Sequence, residues 1–288
     1  IEITAQPNLV KKMTEKKLNH LYRSKDGIMW ISGGKGNLVK RQKGKEQVSF
    51  SFTDKDINCV WENNKELFCC GSKGTLYKYD GENWAKCDID SEENFWTIDG
   101  TQSDVFVVGD NGSIFYKNEI DNKWTKYNSL NRKNLRGLWV YDKNLAFAVG
   151  EEGCILEYDG NNWTEINLSY KENLFSVHGT SKENVWIIGD NGLILYFNGT
   201  IWQKIDTVSP EKLGFVECNE SVTVISTNQN FVYFIDKPSL KIRKIDTINS
   251  VRAICIASNL DTGVKLPEKM LYVVNSNWNV ATIPLNIE

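Results

Sequence analysis

Histidine is almost missing from this chain, with only His20 and His178 in 288 residues. Two are too few for a histidine-built metal centre, and no His-Glu-x-x-His occurs. No metal or cofactor is therefore expected. Arginine is nearly as scarce: six of the 34 basic residues, against 37 acidic ones, for a net charge of −3. Such a chain has neither the basic surplus nor the guanidinium forks that hold phosphates and read bases, which argues against nucleic acid. No apolar run reaches the roughly 18 residues of a membrane span. A Gly-x-Ser-x-Gly elbow, a Gly-Lys-Ser/Thr phosphate loop and C-x-x-C are all absent.

The seven cysteines (59, 69, 70, 87, 154, 218 and 255) are odd in number and irregularly spaced. A disulfide framework is not expected in a chain of this size. Unpaired thiols favour a reducing, cytoplasmic compartment. The opening IEITAQPNLVKKMTEKK lacks the apolar core of a signal peptide. It also lacks an initiator Met, which leaves room for a signal already removed.

What the chain does have is repetition. VWIIG (185–189) has counterparts in MWISG (29–33), LFCCG (67–71), VFVVG (105–109) and AFAVG (146–150), and weaker ones in VTVIS (222–226) and LYVVN (271–275). Their fifth residues are spaced by 38, 38, 41, 39, 37 and 49. A second glycine follows three residues on in the first five copies. After it come an alternating run ending in an aromatic and an Asp-Gly or Asn-Gly turn, then Trp84, Trp124, Trp163 or Trp202. Each copy is preceded by a further short apolar run. The period-2 alternation and Gly/Asn/Asp turns read as four short strands per copy. Asn111-Gly112 and Asn191-Gly192 suit the positive-φ pair of a type I′ hairpin. Cys69-Cys70 occupy the places of Val107-Val108 and Ile187-Ile188 and read as small buried hydrophobes.

A four-stranded unit of this size cannot bury both faces alone, and radial repetition solves that. The expected fold is all-β: a seven-bladed β-propeller of four-stranded antiparallel blades, one domain over 1–288. The last blade (250–288) has room for three strands, and residues 1–5 are expected to supply the fourth and close the ring, since free edges are aggregation-prone. Blade six is the most eroded, with Ser226 for Gly, no outer Trp and KPSLKIRK in its place.

On Trp186, Gly189, Gly192, Ile194, Tyr158, Asp159, Gly160 and Trp163, the repeat resembles bacterial Asp-box/BNR-like propellers. In pattern it is similar to those of the photosystem II assembly and stability factor type, over about residues 28–205. The full Asp-box, the Trp-Asp dipeptide and the paired kelch glycines are missing. The resemblance implies a protein-binding or glycan-related propeller, and a fold alone carries no function.

Candidate site residues are those that break the repeat. Aligned inner strands place Tyr22, Trp61, Asp99, Trp139, His178, Glu217 and Cys255 at one variable position, and Arg136 and Arg252 near the strand starts. Of these, Asp99, His178, Glu217, Arg136, Arg252, Trp61, Trp139 and Tyr22 form the candidate channel site. The alternative is that they point between blades, hydrogen-bonded, as buried polar groups usually are. The hairpin loops GGKG, GSKG, GDNG, GEEG and GDNG share one rim. There Lys35 and Lys73 face Asp110, Glu151 and Asp190, a split by sign that would orient a charged partner.

The expected function is a non-catalytic binding or scaffold module, monomeric on its own, with a protein partner or else a glycan. The alternative is a lectin or a glycosidase at the channel mouth, with Asp99 and Glu217 as paired carboxylates. A sialidase-like variant would use Arg23, Arg136, Arg252 and Tyr22.

Overall fold

The computed structural model describes residues 17–24, 26–42, 45–63, 66–118, 120, 123–127, 131–206, 210–229, 231–237, 239–246, 251–258, 269–275 and 280–284; in the last three stretches it describes the backbone and the side chain of Ile254. The only helical segments among them are single turns of 3-10 helix, so no helix is long and apolar enough to cross a membrane.

The chain forms a β-propeller with six four-stranded antiparallel blades, each in sequence order from the channel outward. Their inner strands are Leu18–Arg23, Ile57–Glu62, Phe95–Gly100, Leu135–Asp142, Leu174–Ser181 and Leu213–Cys218. The expectation of seven four-stranded blades is thus corrected. The last copy (Val251–Ser258, Lys269–Asn275, Val280–Pro284) is a three-stranded sheet. Its inner strand lies between those of blades 6 and 1. A repeat of VWIIG marks the second strand of a sheet and carries no information about whether an outer partner is present. The proposed closing strand, residues 1–5, lies outside the described residues.

Second strands are buried almost throughout; Trp186, Ile187 and Ile188 all have 0 % exposure. Their two faces serve two different blade seams. Phe106 and Val108 of blade 3 pack on Leu138 and Ala148 of blade 4, while Val105 and Val107 pack on Cys70 and Phe68 of blade 2. This explains runs that are continuously apolar rather than alternating. Cys69 and Cys70 are fully buried within such seams.

The registered tryptophans have one job. In blades 2 to 5 the outer-strand indole reaches back to the aromatic in the second strand of the blade before it. Trp84 meets Trp30 at 6.1 Å, Trp124 meets Phe68 at 6.0 Å, Trp163 meets Phe106 at 5.7 Å and Trp202 meets Phe147 at 5.7 Å, all edge-to-face.

The type I′ hairpin is present in five blades. Lys35, Lys73, Asn111, Glu152 and Asn191 lie at φ of 53 to 55°, each followed by a glycine of positive φ. The second glycine is obligatory for space as well: a Cβ on Gly74 would stand 1.8 Å from the Ser91 carbonyl oxygen. In blade 6 the register pairs Leu213 with Thr227, where blade 5 pairs Leu174 with Gly189. Thr227, not Ser226, therefore replaces the first glycine, and the bulge ahead of it adds one inner-strand residue, as in blade 5. Ser226 fills that bulge, accepting the Phe215 N–H at 2.8 Å.

Candidate functional site: the central channel and its rim

Each inner strand is the edge of its sheet, so its channel-facing N–H groups have no strand partner. The neighbouring blade supplies acceptors at two levels. At the third residue of the strand, His20 Nδ1 accepts the Val60 N–H (3.3 Å) and Ser176 Oγ accepts the Val216 N–H (3.3 Å). At the fifth, Asp99 Oδ2 accepts the Val140 N–H (2.8 Å) and His178 Nδ1 accepts the Cys218 N–H (3.2 Å). One geometry thus accommodates Asp, His and Ser.

The channel is a cavity of about 880 Å³ whose walls include Tyr22, Trp61, Asp99, Trp139, Arg136, His178 and Glu217. The first three and the last two are part-exposed to it, whereas Trp139 is 6 % exposed. Trp139 stacks parallel to Phe147 at 6.3 Å, and its ring edge lies where a Cβ on Gly179 would come within 2.6 Å. Tyr22 donates to the Glu62 carbonyl at 3.4 Å. Arg252 lies on the inner strand of the three-stranded sheet, its side chain outside the described residues.

Asp99 and His178 are both perturbed. Burial pushes the Asp99 carboxyl up to about 7, although the Val140 and Gly100 N–H groups and His178 pull the other way. Burial lowers the proton affinity of His178, but the Cys218 sulfur and the Glu217 and Asp99 carboxylates outweigh it and hold it above the ordinary value. Its Nε2 stands 3.6 Å from Glu217 Oε2. When the ring is neutral, the Cys218 N–H bond keeps its proton on Nε2, facing that carboxylate.

At the mouth where the inner strands begin, Arg136 is clamped. It meets Glu151 at 2.6 Å and Asp110 at 3.5 Å and lies over the Trp96 ring at 4.2 Å; Trp96 donates its own N–H to Asp110 at 2.7 Å. Burial acts to raise the Glu151 carboxyl, but the bonds from Arg136 and Asn134 together outweigh it and lower it. Arg136 is the second residue of its strand and Arg23 the last of its own, so these two arginines stand at opposite mouths.

The rim set divides in two. Lys35 and Lys73 are exposed turn tips, whereas Asp110, Glu151 and Asp190 are half-buried and bonded. Their partners are three asparagines that the repeat comparison passes over. Asn94, Asn134 and Asn173 each precede an inner strand and donate Nδ2 to Asp110 (2.7 Å), Glu151 (2.9 Å) and Asp190 (3.0 Å). Their Oδ1 atoms accept turn N–H groups of the preceding blade, from Lys73 (3.1 Å), Asn111 (2.8 Å) and Glu152 (3.1 Å). Before blade 2 the residue is Asp56, which accepts the Lys35 N–H at 2.9 Å, and the facing turn carries Ser72 instead of an acid. An Asn before each of three inner strands, paired with an acid sixteen or seventeen residues later, is the sequence signal for this ring.

Against known proteins the similarity is one of shape. YCF48 from Cyanidioschyzon merolae superposes with a TM-score of 0.74 at 12 % identity, covering 98 % of this chain and 99 % of that one. A structure described as YCF48 bound to D1 peptide gives 0.74 at 11 %, covering 96 % and 94 %. The structure of U3-55K gives 0.79 at 10 %, covering 96 % and 98 %. No protein-family model and no curated protein matches the chain. At these identities the likeness establishes a β-propeller. It does not extend to the Asp-box kind, and WD40 propellers are among the shapes matched.

Proposed function

We propose that this chain is a non-catalytic protein-binding propeller, acting as one unit, whose partner seats on the mouth of the channel where the inner strands begin. The observation that carries this reading is the contrast at that mouth. The hairpin backbones and the asparagine ring beneath them repeat from blade to blade, whereas the exposed tips change chemistry: Lys35, Lys73, Asn111, Glu152 and Asn191. A constant frame with variable tips is what a selective surface requires, and the sign change around it would orient a charged partner. A propeller of the same shape has been solved with a peptide, which supports the reading by analogy of fold. The glycan alternative has no comparable observation in its favour.

The test is site-specific photo-cross-linking. A photoreactive side chain at Lys73 or Glu152 is expected to capture a protein partner, and one at Lys86 on an outer strand is not. Charge reversal at the tips (Lys35→Glu, Lys73→Glu, Glu152→Lys) should abolish capture. Capture through Lys86 alone, or capture indifferent to the reversal, would overturn the proposal.

A further inference from the structure

Both histidines of the chain touch a cysteine of the next blade. The two pairs differ in what stands behind the sulfur. His20 accepts the Val60 N–H through Nδ1 at 3.3 Å, so its own proton sits on Nε2. That nitrogen faces Cys59 Sγ at 3.9 Å. Cys59 lines the channel, alone among the cysteines whose side chains are described, with 4 % of its surface exposed. Directly opposite, on the second strand of the same blade, is Cys70. The two side chains enter one seam with Phe68, Phe95 and Ile98, and their thiols are hydrogen-bonded. Facing residues of antiparallel strands have Cα atoms about 4.5–5.5 Å apart, inside the span of about 4.4–6.8 Å that a disulfide bridges. Cys218 lacks this arrangement. Among the described residues its cluster in the seam of blades 5 and 6 holds no second cysteine, and it is not on the channel wall.

We propose that Cys59 and Cys70 are an oxidisable pair, in which Cys59 reduces a hydroperoxide that enters the channel and Cys70 then closes a disulfide with it. This goes beyond the protein-binding reading and does not depend on it. The Cys59 proton passes to channel water, leaving a thiolate that accepts the His20 Nε2–H. Its sulfur attacks one peroxide oxygen: the S–O bond forms, the O–O bond breaks, and the departing oxygen takes up a proton from water. The Cys70 sulfur then attacks the Cys59 sulfur. The S–S bond forms, the S–O bond breaks, and hydroxide leaves with the Cys70 proton as water. The two thiols lose two electrons and the peroxide gains them. The division of roles follows the surroundings. The bond from the Cys70 thiol holds Cys59 well below the ordinary thiol value, with His20 aiding it against burial, whereas burial pushes Cys70 well above. The other titratable groups around the pair are Cys69 on blade 2, Asp99 on blade 3 and, through His20, Glu217 on blade 6.

The experiment treats the full chain with hydrogen peroxide and maps its cysteines by mass spectrometry after trypsin, which cuts at Lys65 between the two. A Cys59–Cys70 disulfide is expected, reversed by dithiothreitol, with Cys87, Cys154 and Cys218 still free. Cys70→Ala should stop the reaction at the sulfenic acid, so that dimedone labels Cys59 and no other cysteine. His20→Asn keeps an acceptor for the Val60 N–H and removes the Nε2–H. It should slow Cys59 oxidation about ten-fold near neutral pH, the loss of one hydrogen bond to a charged group. That deficit should close as the pH rises and the thiolate forms unaided, whereas a merely structural role would slow the reaction at every pH. A sulfenic acid persisting on Cys59 in the unaltered chain, oxidation of Cys87 or Cys218 ahead of Cys59, or reaction of Cys59 only in urea would overturn the pair. If Cys70→Ala does not fold, the presence or absence of the linked peptides in the unaltered chain decides the proposal alone.

Discussion

Asn134→Asp is the sharpest probe of how the blades are held in register. Asn134 accepts the Asn111 N–H at 2.8 Å and donates to Glu151 Oε2 at 2.9 Å. Aspartate keeps the first bond and reverses the second, placing two carboxylates in contact. Losing a hydrogen bond to a charged group costs about 1.5–3 kcal/mol, and like charges at that separation add about 1 kcal/mol even with water-like screening. Arg136, 2.6 Å from Glu151, offsets part of the repulsion. The net expectation is a loss of about 2–3 kcal/mol, read from urea midpoints at constant m. The deficit should shrink in acid, where the new carboxyl pair takes up a proton.

Blade 2 provides the control, because Asp56 works there opposite Ser72, whose Oγ accepts the Asp56 N–H at 3.0 Å. Adding Glu151→Ser to Asn134→Asp copies that arrangement, and the two changes together should cost less than their sum by about 2 kcal/mol, a coupling expected of contacting residues. An unchanged midpoint for Asn134→Asp, or strict additivity in the double variant, would refute the account of the asparagine ring.

Lys73→Asn should stabilise the chain by about 0.5–1 kcal/mol, since Lys73 holds φ of 53° in a left-handed region that asparagine tolerates better; an unchanged urea midpoint would count against it. Gly179→Ala should cost at least about 2 kcal/mol and alter tryptophan fluorescence, because the new Cβ would approach Trp139 to 2.6 Å and the Asn184 carbonyl to 2.9 Å. Burial acts to raise the Glu66 carboxyl, but bonds from Lys117 and Lys78 prevail and lower it below 4.5. Stability from this trio is therefore present above the unfolded value and lost as pH falls through the folded one, and Glu66→Gln should abolish that part of the acid-side loss. Asp99 has the opposite sign: its folded value of about 7 exceeds the ordinary 3.8, so stability falls as pH rises between them, and Asp99→Asn should flatten that slope in melts across the range.

Much of the fold is legible in the chain because turns and seams impose local chemistry. The glycine pair, the positive-φ Asn and the doubly apolar second strands each answer to a backbone or burial demand that one repeat reveals by itself. The blade count is different, since an outer strand is a pairing between distant segments. LYVVN identifies a second strand and is silent on whether a fourth exists. The tryptophan register is visible, but its purpose is not: Trp163 is explained by Phe106, 57 residues earlier and on another blade. The one-residue shift from Ser226 to Thr227 escapes for a related reason, because register is set by the inner-strand residue each position faces, Leu213 for Thr227, and the apolar pattern does not report it. At the candidate site, Asp99, His178 and Glu217 stand out as repeat-breaking residues. Asn134 does not, since a lone asparagine before a strand resembles any turn residue until its two partners are seen.

Variation within a repeat is therefore a weaker sign of binding than it first seems. Asp99, His178, His20 and Ser176 differ in charge and size, yet all four satisfy the same kind of demand, an edge-strand N–H that needs an acceptor. Any residue with a lone pair at that reach serves, so drift among them is permitted by the fold. A functional residue must carry something beyond the cap. Ser176 and His20 can be exchanged for other neutral acceptors without leaving charge behind. Asp99 brings a carboxyl that burial pushes up to about 7 even with His178 facing it, and a neutral serine or asparagine would cap Val140 without that cost. The surplus over the structural requirement, rather than the break in the repeat, is what singles out Asp99; Glu217 has a partner, its Oε2 standing 3.6 Å from His178 Nε2.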